Sequence, residues 1–200
     1  MTATTVQART VNAAFKGTPT ARCGFASRNL DLHAPVLDSV ERGEFVNAMS
    51  TAVTGVNVVT TDGHAGRFGI TVSAMASVSA DPPMVLVCIN QRSPACTALR
   101  ANLLFCVNVL STQQRQLADT FAGRAAYGEP YEFEDALWMP GKTGVPRLAE
   151  ATSIFECVVE TAFDSGSHTV FIGRVIAASK GDANPLLYTG RAYGYPCQWA

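Results

Sequence analysis

The apolar positions of this chain change period several times, and each change marks an element. Asp38-Ser-Val-Glu41 has the form of a capping box, and Phe45, Met49 and Val53 follow at four-residue spacing. This predicts an amphipathic helix that ends at Gly55. Val56 to Thr61 then reads as a strand, Asp62-Gly63 as a turn, and 68–73 as the hairpin partner. The continuous apolar run Met84 to Ile89 predicts a buried strand. Ser93-Pro94 supplies a cap and a first-turn proline for a short helix through Leu99, and Leu103 to Leu110 is a further strand. Ser111-Thr-Gln-Gln114 repeats the capping-box form and opens a helix through Phe121 that stops at Gly123.

Residues 124–148 hold Gly, Pro, Tyr and Trp without a clear period, which predicts a long surface excursion. Alternation resumes from Ile154 to Phe163, with Phe155, Cys157, Val159, Thr161 and Phe163 on one face. Asp164-Ser-Gly-Ser167 turns the chain into a last strand, His168 to Ala178. The sum is six or seven strands, mostly joined antiparallel, with a few helices. Because strands do not alternate regularly with helices, a parallel doubly wound sheet is disfavoured. The pattern fits a mainly β fold, a closed or split β-barrel with helical decoration.

Composition adds a size and a surface. The 200 residues suit one domain, or one domain with an appendage, and 48% hydrophobic content with mean hydropathy +0.13 supports a large core. Only 16% of residues are charged, against about 25% in soluble domains, so part of the surface is expected to be covered by another subunit. No apolar run approaches the roughly 20 residues that span a bilayer. Net charge is −1 with no basic cluster, which argues against nucleic acid as a partner.

Residues 1–30 carry Arg9, Lys16, Arg22 and Arg28 and no acid, so this leader is +4 while the remainder is −5. A basic, acid-poor transit peptide and a disordered extension both fit it, and no amphipathic stripe is evident. The expected division is an extension over 1–37 and one domain over 38–200. The six cysteines (Cys23, Cys88, Cys96, Cys106, Cys157 and Cys197) form no C-x-x-C pair and no zinc spacing. Cys88, Cys106 and Cys157 sit inside apolar runs and read as reduced core thiols of a cytoplasmic protein.

The candidate chemistry centres on Gly69 to Pro83. Thr71, Ser73, Ser77 and Ser79 share one alternating register before the Pro82-Pro83 pair, and in extended backbone their hydroxyls face one way. Such a row suits a phosphate or the polar tail of a cofactor; a plain polar strand face is the alternative. No G-x-G-x-x-G follows a strand, the Gly141-Lys142-Thr143 stretch lacks the first glycine of a P-loop, and no paired-acid or metal-binding pattern is present. With His33 in the leader and His64 in a turn, His168 is the remaining imidazole. At a barrel rim it can donate to a carbonyl or phosphate, or simply stabilise its turn.

In order along the chain, 54–61, 69–79, Asp81-Pro-Pro83, Cys88-Ile-Asn90, 105–110, Phe121-Ala122, Gly166-Ser-His-Thr169 and Gly190-Arg-Ala-Tyr193 resemble the flavin reductase-like proteins. The resemblance covers roughly residues 38 to 195 and is closest in kind to the reductase component of two-component flavin-dependent monooxygenases. It implies a homodimeric Greek-key split barrel that takes FAD or FMN and uses NADH, with NADPH as the other donor. By position it implies that Thr71, Ser73, Ala74 and Ser77 hold the flavin ring edge or ribityl phosphate, with Thr54, Val56, Val72 and Cys88 lining the same cofactor. Asn90, Ser93 and Asn108 would contact the flavin beyond the next strand, although capping of turns and strand ends explains such residues equally. His168, the candidate catalytic residue, and Tyr193 would meet the nicotinamide nucleotide, with Arg191 a further candidate. The implied activity is hydride transfer from NADH to flavin and delivery of reduced flavin to a monooxygenase. A barrel of the same type that keeps its flavin and reduces another acceptor, such as a corrinoid, and a non-enzymatic flavin- or haem-binding barrel, are the alternatives.

Overall fold

The structure, a computed structural model, describes residues 35 and 37–197, so the leader, with Cys23 and His33, lies outside the described residues. The elements belong to the unit Val40–Ala200. In chain order they are α1 (Arg42–Ser50), β1 (Thr54–Gly55), β2 (Asn57–Thr61), β3 (Phe68–Val72), β4 (Met75–Ala80), β5 (Pro83–Asn90) and α2 (Pro94–Asn102). Then come β6 (Leu104–Val109), a 3-10 turn (Thr112–Gln114) running into α3 (Arg115–Thr120), β7 (Trp138–Pro140), β8 (Pro146–Leu148), β9 (Ser153–Ser165), β10 (His168–Lys180), β11 (Leu187–Thr189) and β12 (Ala192–Gly194).

Seven strands form one sheet in the order β3-β2-β6-β9-β10-β5-β4, with every pair antiparallel. β3 and β4 are the two edges of this sheet, yet only Ser73 and Ala74 separate them in the chain. Three residue steps reach at most about 11 Å, so the sheet must curl until its edges nearly meet. No ladder joins those edges, and the barrel is therefore split rather than closed. β1, β11 and β12 make a small separate sheet, and β7 and β8 a hairpin.

All five residues of β2 are buried, because apolar clusters cover both faces of the sheet. Val58, Cys106, Phe121, Trp138 and Leu148 pack on one side, and Val59, Leu99, Phe105, Val107 and Phe171 on the other. The neighbours Val58/Val59 and Phe105/Cys106 fall on opposite sides, as the two-residue period of a strand requires. Gly69 is fixed by close approach: a Cβ there would lie 2.5 Å from the Phe121 ring, and the next contact is the Thr71 N–H donating to Phe121 O at 2.9 Å.

Several expectations shift. The first helix begins at Arg42 rather than at Asp38, its N-cap Glu41 makes no side-chain cap, and none of its residues is buried. Its apolar stripe has no partner within the described chain to fix the start. The region 124–148 is no plain surface excursion: β7 and β8 bring Trp138, Val145 and Leu148 into the core. Strands of three residues are too short to show a period. Alternation along β9 breaks at a bulge opposite Ile172 and Gly173, and every residue beyond it from Glu160 to Ser165, Phe163 included, is exposed. β11 and β12 were not anticipated, for the same reason of length.

Candidate functional site

β3 contributes to two clefts. In the smaller, of about 200 Å³, Thr71, Val72 and Ser73 meet Val56, Arg124 and Tyr193. The Thr71 hydroxyl is already committed, donating to Ala118 O at 2.8 Å, whereas the Ser73 hydroxyl has no partner among the described residues. Opposite them the Tyr193 hydroxyl donates to Asp119 Oδ1 at 2.8 Å, and the Arg124 guanidinium donates to the same oxygen at 3.2 Å. Arg115 lies 5.3 Å from the centre of the Tyr193 ring, so this phenol is held from three sides. Burial, then the Asp119 carboxylate, raise its pKa above the ordinary phenol value.

The larger cleft, of about 510 Å³, takes Gly69 and Ile70 from the same strand and Asn90, Arg92 and Ser93 from the end of β5 and the start of α2. Ser93 caps α2, its Oγ accepting from Ala95 N at 3.3 Å, and Pro94 occupies the first turn. Pro94 has no N–H, and Cys96 N donates to Ser93 O at 3.0 Å, so the helix start offers the positive end of its dipole rather than free donors. Asn90 Oδ1 accepts from Arg92 N at 2.9 Å, leaving the Asn90 NH₂ group and the Arg92 guanidinium without protein partners among the described residues. Arg67, on the other side, is paired with Asp62 at 2.9 Å.

His168 stands beside this cleft. It is directly opposite Asn90 in the β5–β10 ladder, a position whose side chains lie about 5 Å apart at Cβ. Its Nδ1 is 2.9 Å from Ser167 Oγ, so Nε2 is the nitrogen left for a ligand. The hairpin that carries it is braced by Arg100 of α2, which bonds both Asp164 and Thr169. The Thr169 hydroxyl in turn donates to Asp164 at 2.7 Å, and this bond, followed by the Arg100 charge, lowers the Asp164 pKa.

A family model described as "Flavin reductase like domain" matches residues 49–196, which takes in both clefts and every strand from β1 to β12. This chain belongs to the flavin reductase-like family. A protein named FMN reductase (NADH) RutF from Bradyrhizobium diazoefficiens is 40% identical over 158 residues, covering 78% of this chain and 87% of its own. Among solved structures, BorF, described as the flavin reductase component of a bacterial two-component tryptophan halogenase, matches with TM-score 0.71 at 31% identity, covering 78% of this chain and 98% of its own. SgcE6 of Streptomyces globisporus, titled NADH:FAD oxidoreductase, matches with TM-score 0.73 at 29% identity over 84% of this chain and 100% of its own.

Within this flavin reductase-like domain the expected site residues fall into three groups. Val56, Thr71, Val72, Ser73 and Tyr193 come together in the smaller cleft, and Thr54 pairs with Tyr188 at its edge. Asn90 and Ser93 come together in the larger one, with His168 next to Asn90. The rest are not assembled there. Asn108 is fully buried, its Nδ2 donating to Val58 O at 3.0 Å and its Oδ1 accepting from Leu148 N at 2.7 Å, so it has no surface to offer a ligand. Cys88 is a half-buried thiol whose pKa burial raises, and lines neither cleft. Ala74 acts through its carbonyl, which accepts from Cys88 N at 3.1 Å. Arg191 occupies a left-handed turn position, φ 61°, between β11 and β12 and lines neither cleft.

The continuous hydroxyl row does not form. Ser73 belongs to the link between the two sheet edges, Ser77 is exposed on β4, and a bulge between Ser77 and Ser79 breaks their alternation. Ser79 Oγ instead accepts from Asp81 N at 3.1 Å. Sequence reasoning passed over Arg67, Arg92, Asp119, Arg124 and Tyr131. Arg92 stood between two residues already singled out, Asn90 and Ser93, and Arg124 directly follows the helix-stopping Gly123; neither is in a cluster along the chain.

Proposed function

We propose that this chain is an NADH-dependent flavin reductase that supplies reduced FMN or FAD to a partner monooxygenase. In this reading residues 38–200 are the reductase domain and 1–37 an extension. The observation that carries it is the larger cleft, where an unpaired arginine, a capped helix start and an amide converge beside His168.

The donor set fits a phosphorylated ring cofactor. The Arg92 guanidinium and the Asn90 NH₂ group suit a phosphate, through charge and hydrogen bonds, with the positive end of the α2 dipole beside them. The cleft volume falls within the range of about 300–1,000 Å³ usual for small-molecule sites. A bound flavin would supply the hydride acceptor and the nicotinamide the donor. The protein's share is orientation and water exclusion. His168 Nε2 and the Asn90 NH₂ group would orient a polar ring substituent, and the Ser73 hydroxyl and Tyr193 would do so across the link between the sheet edges. No general acid of unusual pKa is needed for this chemistry.

NADH as donor rests on the names of the relatives, one an FMN reductase (NADH) and another an NADH:FAD oxidoreductase. Delivery to a separate enzyme rests on BorF, described as the flavin reductase component of a two-component halogenase. Homodimerisation is part of the proposal. Phe45, Met49 and Val53 expose 56%, 51% and 63% of their surface on and after α1, an apolar stripe suited to a second copy of the chain.

The test is turnover under nitrogen with FAD and FMN crossed against NADH and NADPH, following the flavin absorbance. Loss of that absorbance with NADH is expected; no loss with any pair overturns the proposal. Ultrafiltration of the flavin-loaded protein should carry the yellow colour into the filtrate, whereas retention would point to a flavoprotein that keeps its cofactor.

A further inference from the structure

The segment between α3 and β7 places one aromatic ring where packing alone does not call for it. Phe133 enters the core, its ring 4.9 Å from Phe121 and 5.1 Å from Trp138. Tyr131, two residues earlier, does not follow. It takes left-handed backbone at φ 66°, half its surface stays exposed, and it lines the larger cleft together with Arg92. For a bulky side chain that backbone is strained, and a glycine would adopt it freely. Neighbours hold the strained residue in place: Tyr131 N donates to Thr120 O at 3.1 Å, and its hydroxyl end lies against the backbone of Gly123.

The same cleft holds two guanidiniums, Arg92 without a protein partner among the described residues and Arg67 with its Nε on Asp62 and its terminal nitrogens left for a ligand. Two cations suit a diphosphate better than a single phosphate, and a planar aromatic beyond them suits a base. We infer that Tyr131 is the stacking residue for the purine of an adenine dinucleotide bound in the larger cleft. This rests on the reductase reading, in which FAD and NADH are the two sources of such a purine. Stacking on an aromatic side chain is worth about 1–3 kcal/mol per base, which corresponds to at least about fivefold in affinity. The ring would therefore separate dinucleotides from mononucleotides without touching the reacting atoms.

The experiment is equilibrium dialysis of wild type, Tyr131→Gly and Tyr131→Phe against FMN, FAD, NADH and reduced nicotinamide mononucleotide. Tyr131→Gly keeps the backbone conformation accessible while deleting the ring. The expected result is a loss of about fivefold or more for FAD or for NADH, with FMN and the mononucleotide changed by less than about twofold. Which dinucleotide weakens identifies the source of the purine. Tyr131→Phe should bind as wild type does. The inference is overturned if all four ligands bind Tyr131→Gly unchanged, if all weaken together, or if Tyr131→Phe is as weak as Tyr131→Gly. Intact dinucleotide selectivity in a wild-type protein without turnover would sink the reductase reading and leave this inference standing.

Discussion

Asn108 shows how a side chain can match a cofactor-binding position and still have no ligand to meet. Both ends of its amide are used inside the core, tying β6 to β2 and to β8. Asn108→Ala strands the Leu148 N–H, and a buried polar group left unpaired costs about 1–3 kcal/mol. Thermal unfolding should show a loss of roughly 1–3 kcal/mol, while flavin affinity of the folded fraction stays as in wild type. Weakened flavin binding with unchanged stability would return Asn108 to the site. His168 makes the opposite case, with one nitrogen engaged by Ser167 and the other free beside Asn90. His168→Ala should raise the KM for NADH by about tenfold, the effect of roughly 1.4 kcal/mol, with little change in bound flavin. Steady-state kinetics identical to wild type would refute that assignment.

The long strands were legible because each is an apolar or alternating run bounded by glycine, proline or a cap; β2, β5, β6 and β10 lie where the pattern put them. β7, β8, β11 and β12 were not, since three residues cannot display a period. Bulges in β4 and β9 also leave no mark in the pattern, and the one in β4 breaks the shared register of Ser77 and Ser79. The cysteine reading of β6 and β9 has a measurable consequence. Burial, with Glu156 nearby, pushes the Cys157 thiol up from 9.0 to about 12 and raises that of Cys106 as well. A thiol whose pKa rises on folding stabilises fully below pH 9.0, and the contribution is lost as pH climbs toward the folded value, because the unfolded chain releases its proton first. Urea unfolding should lose up to about 1.4 kcal/mol per pH unit per thiol above pH 9, and the Cys157→Ala variant should lose less steeply. Equal slopes in both proteins would contradict the burial argument.

At the scale of the molecule, α1 has no core of its own and contributes no buried residue, yet its C-terminal end is tied to the β11–β12 turn through Gly190 N and Ser50 O. Phe45→Glu with Met49→Glu should convert a two-chain species to a single chain in sedimentation velocity, leaving the far-ultraviolet circular dichroism intact. A wild-type protein that sediments as one chain would rule the homodimer out. The site was legible in the sequence where contacts are local, as at Asn90 and Ser93, and illegible where the curl of the sheet assembles it, as at Arg67, Arg124 and Tyr131. Since Ser73 and Ala74 alone connect the first edge of the sheet to the last, this dipeptide works as a hasp. Lengthening it by even a few glycines would let the two rims drift apart, and both hollows beside it would slacken together although no lining side chain had been changed.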